Sequence, residues 1–218
     1  MLSLSEENYL KNIFKIAERD RKPISTNAVA KSLGITAAST TDMIKRLSDK
    51  GFLSYKKYHG VTLTDSGLKE AMQLVRKHRL WEVFLLEKLK FGWEDVHEIA
   101  EQLEHIHSPE LVNKLDEFLG FPKYDPHGDP IPDKRGRFTI RSQKPLNKAK
   151  RQTKCTVLGV TDHTKPFLKY LNQLNIKLGT SIFILDRIEF DNSLRIEVHQ
   201  SMHVISEKVA QQILIKEL

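Results

Sequence analysis

The first third of the chain carries short apolar faces separated by turn residues, a pattern that predicts three helices. Apolar residues recur at helical spacing from Tyr9 to Ala17, and Ser5 can cap this first helix ahead of two acids in its first turn. Ser25 can cap a second helix, and Gly34 supplies the turn before a third helix at residues 36–50. Small residues lie on the outward face at the start of this third helix, so it can approach a partner closely.

The segment after the third helix predicts a β-hairpin. Residues 52–55 and 61–64 alternate in polarity around a basic turn at residues 56–60. Three helices followed by a basic hairpin are typical of a winged helix-turn-helix, with small side chains at base edges and lysines at phosphates. The predicted DNA-binding residues are Thr36, Ala37, Ala38, Ser39, Thr40, Asp42, Lys45, Lys56 and Lys57. A small helical domain without a ligand, or a protein-binding winged helix, is the alternative.

The remainder of the chain predicts helices and then short strands. Helices are expected at residues 65–90, 93–107 and 108–120, the last with Ser108 as its N-cap and Pro109 as its first helical residue. A run rich in proline and glycine from Pro122 to Pro132 cannot continue a helix. Strands are expected at 153–160, 181–186 and 194–199, with a short helix at 166–174 between the first two. The predicted fold is mainly α with a small β-barrel at the C-terminal end.

Composition limits the class of protein. The chain has 218 residues, 39% of them hydrophobic, which suits two or three small domains. It has no apolar run of the ~20 residues that span a bilayer, and its single cysteine, Cys155, fits a reducing compartment. We therefore expect a soluble, unprocessed, cytoplasmic protein with no membrane partner. A net charge of +7 is compatible with nucleic acid.

The distribution of charge is more informative than its sum. Residues 91–113 contain no Lys or Arg but six acids and three histidines, so a cation from elsewhere must balance them. Residues 134–154 carry nine Lys or Arg and no acid, which is typical of a solvated basic linker.

Within the acidic segment, one helical face carries nitrogen and oxygen donors. His97, Glu101, Glu104 and His105 fall within an arc of about 100°, with the apolar residues of this helix opposite. Imidazole and carboxylate bind Mn, Fe, Co, Ni or Zn, and a set without sulfur favours the harder ions. A solvated face is the plainer interpretation, but such faces usually mix both signs of charge.

Two other classes of function are compatible with parts of this pattern. Glu94-x-x-His97 and Glu104-x-x-His107 have the spacing of a di-metal carboxylate enzyme, but that site needs the motifs on separate facing helices. Both motifs lie on one predicted helix here. A regulator that responds to a ligand other than a metal would leave the acidic helix unexplained.

Four segments together carry a resemblance to a known family. They are Arg76–Leu85, Val96–His105, Asp125–Pro132 and the ending Ile213–Leu218. The chain resembles, over essentially its whole length, the diphtheria toxin repressor family of metal-dependent regulators in its three-domain form. The resemblance implies a DNA-binding domain at 1–64, a helical dimerisation and metal-binding domain at 65–136, a basic linker at 137–152 and an SH3-like domain at 153–218.

The resemblance also implies metal ligands. It places an ancillary site at His78, Glu82 and His97, with His163 near a further ligand position, and a primary site at Glu101, Glu104 and His105. Asn8 stands where iron-type members have methionine and manganese-type members aspartate, and its amide oxygen can serve as a weak ligand. Glu101 replaces the cysteine of iron-type members, which favours manganese. Lys11 replaces a glutamate of short manganese-type members, which argues against their two-metal geometry.

The function implied is that of a non-enzymatic regulator, expected to be a repressor that responds to Mn²⁺, with Fe²⁺ as the alternative. The partner is double-stranded operator DNA. A homodimer whose recognition helices lie one helical turn apart, ~34 Å, fits a palindromic operator. Metal that joins the first helix to the dimerisation domain would hold the dimer in this arrangement.

Overall fold

The structure is a computed structural model that describes residues 2–20 and 23–218. These residues group into two compact units, each described separately below. The first comprises Met1–His78, Gln102–Asn113 and Pro132–Arg137, and the second comprises Arg79–Glu101, Lys114–Ile131 and Phe138–Leu218. None of the helices in the described ranges is both long enough and apolar enough to cross a membrane.

The first unit is built on a helix-turn-helix with a hairpin. Its elements are α1 (Leu4–Asp20), α2 (Thr26–Leu33), α3 (Ala37–Asp49), β1 (Leu53–Lys56) and β2 (Gly60–Leu63). Leu10 and Ile13 of α1 are fully buried, as are Ile44 and Leu47 of α3, because three-residue spacing puts each pair on one helical face.

The start of α1 differs from the prediction, which placed the N-cap at Ser5. The helix begins at Leu4, because Ser3 and Glu6 form a reciprocal capping box. The amide of Ser3 donates to Glu6 Oε2 at 2.9 Å, and the amide of Glu6 donates to Ser3 Oγ at 3.3 Å. The predicted cap Ser25 is confirmed, since its side chain accepts from the amide of Ala28.

The hairpin fits closely against the strand-like residue Ile24. β1 and β2 pair antiparallel with Leu53 opposite Leu63 and Lys56 opposite Gly60. Gly60 has φ of +92°, and a Cβ there would lie 2.7 Å from the carbonyl oxygen of Ile24. The backbone therefore needs glycine at this point, both for its conformation and for the close approach.

Three helices follow, and all three are shorter than predicted. They are α4 (Asp65–Glu87), α5 (Val96–Leu103) and α6 (Pro109–Phe118). The predicted helix at 93–107 was too long at both ends, and the amide of Ile106 closes a turn onto the carbonyl of Leu103. Glu104 and His105 thus lie in a turn after α5, from which their side chains reach Lys11 and Glu7 of α1.

The second unit contains a six-stranded antiparallel sheet in the order β3-β8-β4-β5-β6-β7. Its strands are β3 (Lys144–Pro145), β4 (Thr153–Val160), β5 (Ser181–Arg187), β6 (Leu194–Val198), β7 (Ser201–Ile205) and β8 (Ile213–Glu217). The helices α7 (Lys165–Gln173) and α8 (Glu207–Gln212) accompany it. Alternate residues of β6 are buried, namely Leu194, Ile196 and Val198, so one face of the strand packs on the core.

The sheet begins earlier than the prediction allowed. Residues 137–152 were expected to be a solvated basic linker, but β3 pairs with β8 through Pro145 and Leu214. Leu146, in the following single 3-10 turn, is fully buried in the core of this unit. Because one leucine among many cations is a weak apolar signal, the charge count alone concealed this contact. The predicted fold class, mainly α with a small β-rich C-terminal part, is confirmed.

Candidate metal centre

In the first unit, the predicted ligand Glu104 lies between two nitrogen donors. Its side chain is fully buried, with Oε1 2.5 Å from Lys11 Nζ and Oε2 2.6 Å from His78 Nδ1. Burial alone would raise the pKa of Glu104, but the hydrogen bond from His78 and the ammonium of Lys11 outweigh it and lower the pKa. Glu104 is therefore a carboxylate in the folded protein.

Glu7, an acid of α1, contacts the two histidines that follow α5. Glu7 Oε2 lies 2.5 Å from His105 Nδ1, and Glu7 Oε1 lies 3.6 Å from His107 Nε2. Burial lowers the pKa of Lys77, against the attraction of Glu7 and Glu104. Two carboxylates, three imidazoles and two ammonium groups of the first unit thus belong to one polar cluster, called the α1 cluster below: Glu7, Lys11, Lys77, His78, Glu104, His105 and His107.

Asn8 supplies a direct test of whether a cation fits this cluster. It lies on α1 between Glu7 and Lys11, and its side-chain oxygen is buried without a hydrogen-bond donor. A buried acceptor left without a donor is costly, and a cation would satisfy it. The predicted ligands Asn8, Glu104 and His105 are thus all in the first unit, and the predicted ancillary ligand His78 joins them there.

In the second unit, a different set of donors surrounds Glu82. His97 Nδ1 is 3.0 Å from Glu82 Oε1, and His127 Nδ1 is 3.7 Å from Glu82 Oε2. Glu82, Asp125 and His127 each offer a ligand atom within 4.8 Å of the other two, and all three are buried. These three residues are called the Glu82 cluster below. The predicted ligand Glu101 lies 3.7 Å from the other ring nitrogen of His97.

The predicted ligand His163 lies against the Glu82 cluster. Its ring stacks on His127 with 4.7 Å between ring centroids and lies 6.5 Å from the ring of His97. Its Nε2 is 3.2 Å from the carbonyl oxygen of Val160. Burial, which is the largest influence, lowers the pKa of His163 and favours the neutral ring that a metal requires.

The electrostatics of the Glu82 cluster show an excess of buried negative charge. Burial and the neighbouring Glu82 raise the pKa of Asp125 to about 7, although Arg79 opposes this. Burial would lower the pKa of His127, but Glu82 and Asp125 outweigh it and raise the pKa to about 9. The cluster therefore holds protons, and a divalent cation could replace them.

Two of these residues were not predicted as ligands. Asp125 and His127 were noted only as part of a family motif in the proline-rich segment, where no helical or strand period marks a shared face. The available signal was an acid and a histidine two residues apart in a segment that could not be a helix. Their burial, 4% and 0% exposed, could not be read from the sequence.

The predicted DNA-binding residues were exposed as expected, with one exception. Thr36, Ala37, Ala38, Ser39, Asp42, Lys45, Lys56 and Lys57 are all exposed. Thr40 was predicted to face outward, but it is fully buried and its hydroxyl donates to the carbonyl of Thr36 at 2.9 Å. It cannot contact a base edge, because the helical turn directs its side chain toward the core. The wing also exposes Tyr58, 92% accessible, with Lys57 Nζ 5.0 Å from its ring centre.

Comparison with known families accounts for nearly the whole chain. The iron dependent repressor N-terminal DNA binding domain matches residues 1–61, and the iron dependent repressor metal binding and dimerisation domain matches residues 64–133. The FeoA domain matches residues 144–217.

Individual relatives agree with these matches. An HTH-type transcriptional regulator of Methanocaldococcus jannaschii is 36% identical over 118 residues, which cover 54% of this chain and 94% of the relative. The iron-dependent repressor IdeR of Mycobacterium tuberculosis is 30% identical over 126 residues, or 58% of this chain and 54% of that repressor. A solved manganese-dependent transcriptional repressor in complex with manganese is 32% identical, covers 98% of this chain and 100% of its own, and superposes with a TM-score of 0.86.

These relatives are DNA-binding regulators and not enzymes, which agrees with the helix-turn-helix and the buried donor clusters described above. The chain belongs to the iron-dependent repressor family, the diphtheria toxin repressor type of metal-dependent transcriptional repressors.

Proposed function

We propose that this protein is a manganese-responsive repressor that binds a palindromic operator as a homodimer. The observation that carries the choice of metal is the absence of sulfur from both donor clusters among the described residues. The single cysteine, Cys155, is fully buried in the core of the second unit. Burial raises the pKa of its thiol to about 11, so that it does not supply a thiolate. Nitrogen and oxygen donors alone leave hard ions such as Mn²⁺ well served.

Two sets of donors would hold metal, one in each unit. In the first unit the donors are Asn8, Glu104 and His105; in the second they are Glu82, His97, Glu101, Asp125, His127 and His163, with His78 available to the first set. A bound divalent cation supplies positive charge that neutralises these buried carboxylates. Because Asn8 is part of the DNA-binding helical bundle, a cation at its oxygen would restrain that bundle.

Each predicted domain is assigned one role. We assign DNA binding to residues 1–64, dimerisation and metal binding to 65–136, and an accessory role to the SH3-like residues 153–218. The basic residues 137–152 that precede them supply β3 to the same sheet. The exposed small residues of α3 would read base edges and the lysines of the wing would contact phosphates. Exposed apolar side chains in the second unit support a homodimer, namely Leu89, Phe91, Phe118 and Phe121.

The deciding experiment measures operator binding against free metal. Fluorescence anisotropy of labelled DNA from upstream of the protein's own gene is followed during titration with Mn²⁺, Fe²⁺ or Zn²⁺, under anaerobic and reducing conditions. We expect Mn²⁺ to activate at the free concentrations found in cells, while Zn²⁺ binds tightly without full activation. An activation midpoint for Fe²⁺ far below that for Mn²⁺ would overturn the choice of manganese.

Two substitutions test the ligands that set this choice. Asn8→Asp should lower the Mn²⁺ midpoint because it adds a charged oxygen at an acceptor that is buried and without a donor. Asn12→Asp is the matched control, since Asn12 lies one turn further along α1 and its side-chain oxygen is also buried without a donor, while its amide nitrogen donates to Ser32, which is not a proposed ligand. Glu101→Cys should shift the response toward Fe²⁺ or Zn²⁺. An unmoved Mn²⁺ midpoint in Asn8→Asp would remove α1 from the ligand set.

Iron is the second candidate. The family descriptions matched by residues 1–133 are those of iron-dependent repressors, and the mycobacterial relative bears the same description. The same titration distinguishes the two metals.

A further inference from the structure

The ion pair between Lys11 and Glu104 is buried within the first unit. The two side chains are 6% and 0% exposed, and 2.5 Å separates Lys11 Nζ from Glu104 Oε1. They are 93 residues apart in the sequence, so the fold and not a local helical spacing brings them together. Burying an ammonium and a carboxylate is costly unless each satisfies the other, and this pair satisfies that condition.

The pair involves the acid that the proposed function assigns to the metal. Glu104 Oε1 accepts from Lys11, and Glu104 Oε2 lies 2.6 Å from His78 Nδ1. Both oxygens of the carboxylate therefore already have a partner. A divalent cation bonded to Oε1 would lie within a few ångströms of the ammonium, where two positive charges in a buried site repel strongly.

Asn8 has an acceptor that the ammonium of Lys11 does not satisfy. Lys11 and Asn8 are three residues apart on α1, yet the side-chain oxygen of Asn8 is buried and accepts no hydrogen bond. Lys11 thus supplies positive charge to Glu104 while a neighbouring oxygen remains without a donor. This combination suits a cation that holds the site in the metal-free protein and can be displaced.

We propose that Lys11 is an internal cation that competes with the divalent metal for Glu104 and thereby sets the metal concentration at which this site fills. The proposal rests on the proposed function, because it takes Glu104 to be a metal ligand. The flexible four-carbon side chain of lysine allows the ammonium to leave without a change in the helix. In the metal-free state, the same ammonium keeps Glu104 neutralised and α1 attached to the turn after α5.

The test compares Mn²⁺ binding by the full-length parent, Lys11→Met and Lys11→Gln, measured by equilibrium dialysis and by calorimetry. Lys11→Met keeps the length of the side chain and removes the charge, and Lys11→Gln serves if the methionine variant does not fold. Lys77 also lies near Glu104 and remains in both variants, which limits the excess of negative charge. Lys50→Met is the matched control, because Lys50 forms a 2.7 Å pair with Glu6, which is not a proposed ligand.

We expect Lys11→Met or Lys11→Gln to bind Mn²⁺ about tenfold or more tightly, because the competing charge is gone. Both should also melt at a lower temperature than the parent in chelator, and Mn²⁺ should raise their melting temperature more than it raises that of the parent. Lys50→Met should show neither change in Mn²⁺ response. Binding by a Lys11 variant where the parent binds no Mn²⁺ at all would also support the competition.

Equal Mn²⁺ affinity in the parent and both Lys11 variants would overturn the proposal. If operator binding by the parent still responds to Mn²⁺ in that case, the proposed function stands and only the competition is wrong. If neither the parent nor the variants bind Mn²⁺, both the competition and the manganese assignment are wrong.

Discussion

Raising the pH of the metal-free protein from about 6 to about 9 should destabilise the second unit, because two buried groups there hold protons that the unfolded chain releases. The pKa of Asp125 is raised from 3.8 to about 7, and that of His127 from 6.5 to about 9. Between the unfolded and folded pKa of each group, the native state binds the extra proton, so its stability falls as the pH rises. For His127 the contribution is fully present below pH 6.5 and is lost as the pH rises through about 9.

The size of the effect follows from the His127 shift. The change in the pKa of His127 from 6.5 to about 9 contributes roughly 3 kcal/mol to the free energy of unfolding at low pH. The coupling of His127 to Glu82 and Asp125 makes ~1–3 kcal/mol the expected loss between pH 7 and pH 9. Mn²⁺ should oppose this loss, since a metal at the cluster needs the same groups deprotonated.

The assay is urea denaturation in chelator at several pH values, followed by tryptophan fluorescence. Both tryptophans, Trp81 and Trp93, lie in the second unit, and Trp93 stacks on His127 with 6.2 Å between ring centroids. His127→Gln should flatten the pH dependence above pH 7, whereas the same change at the exposed His199 should not. Stability that stays level or rises from pH 7 to pH 9 in the parent would refute the reasoning, as would an unchanged slope in His127→Gln.

Three further predictions concern DNA, metal and packing. Replacing Lys56 and Lys57 by Ala should reduce the log–log salt slope of operator affinity by about 1.8, or 0.9 for each lost phosphate contact, and an unchanged slope would remove the wing from the DNA. Glu104→Gln and His105→Ala should each abolish Mn²⁺-dependent operator binding while sedimentation still shows a folded protein; a parental Mn²⁺ response in both would mean that the site is misassigned. Leu168→Ala, at a fully buried position of α7, should lower the free energy of unfolding by about 2–5 kcal/mol, and a loss under ~1 kcal/mol would contradict the packing described for this helix.

Elements with local signals were predictable from the sequence. The caps at Ser25 and Ser108, the turn at Gly34 and the alternation of β6 each depend on residues a few positions apart, and the structure contains all of them. The end of α5 was not predictable in this way. Apolar residues continue at helical spacing to Ile106, but the helix ends at Leu103.

The candidate site shows the same limit. Helical spacing and family resemblance identified Glu104 and His105, but not the buried partners Lys11 and Glu7, which come from a helix almost a hundred residues earlier. Asp125 and His127 lie in a segment without periodicity, so only the fold reveals that they meet Glu82. Thr40 illustrates the opposite error, since a small polar residue at a helix start is as compatible with a buried hydroxyl as with a DNA contact.

The lysine-free segment at residues 91–113 has a different meaning once the partners are known. Its missing cations suggested that a metal balances its acids, yet Lys11 already neutralises Glu104 within the folded chain. Lys165 does the same for Asp95, with 2.5 Å between Nζ and Oδ1. The absence of lysine from a segment is therefore weak evidence for a metal, because cations from distant residues can supply the balance. The buried acceptor of Asn8 is more direct evidence, because it lies on α1 between Glu7 and Lys11 of the α1 cluster and no described residue donates to it, although Asn12 on the same helix has a similar acceptor. The test is the response of operator binding to Mn²⁺. Loss of this response on changes at Asn8, together with its persistence on changes at exposed acids of the segment, would show that Asn8 is the better indicator of the metal.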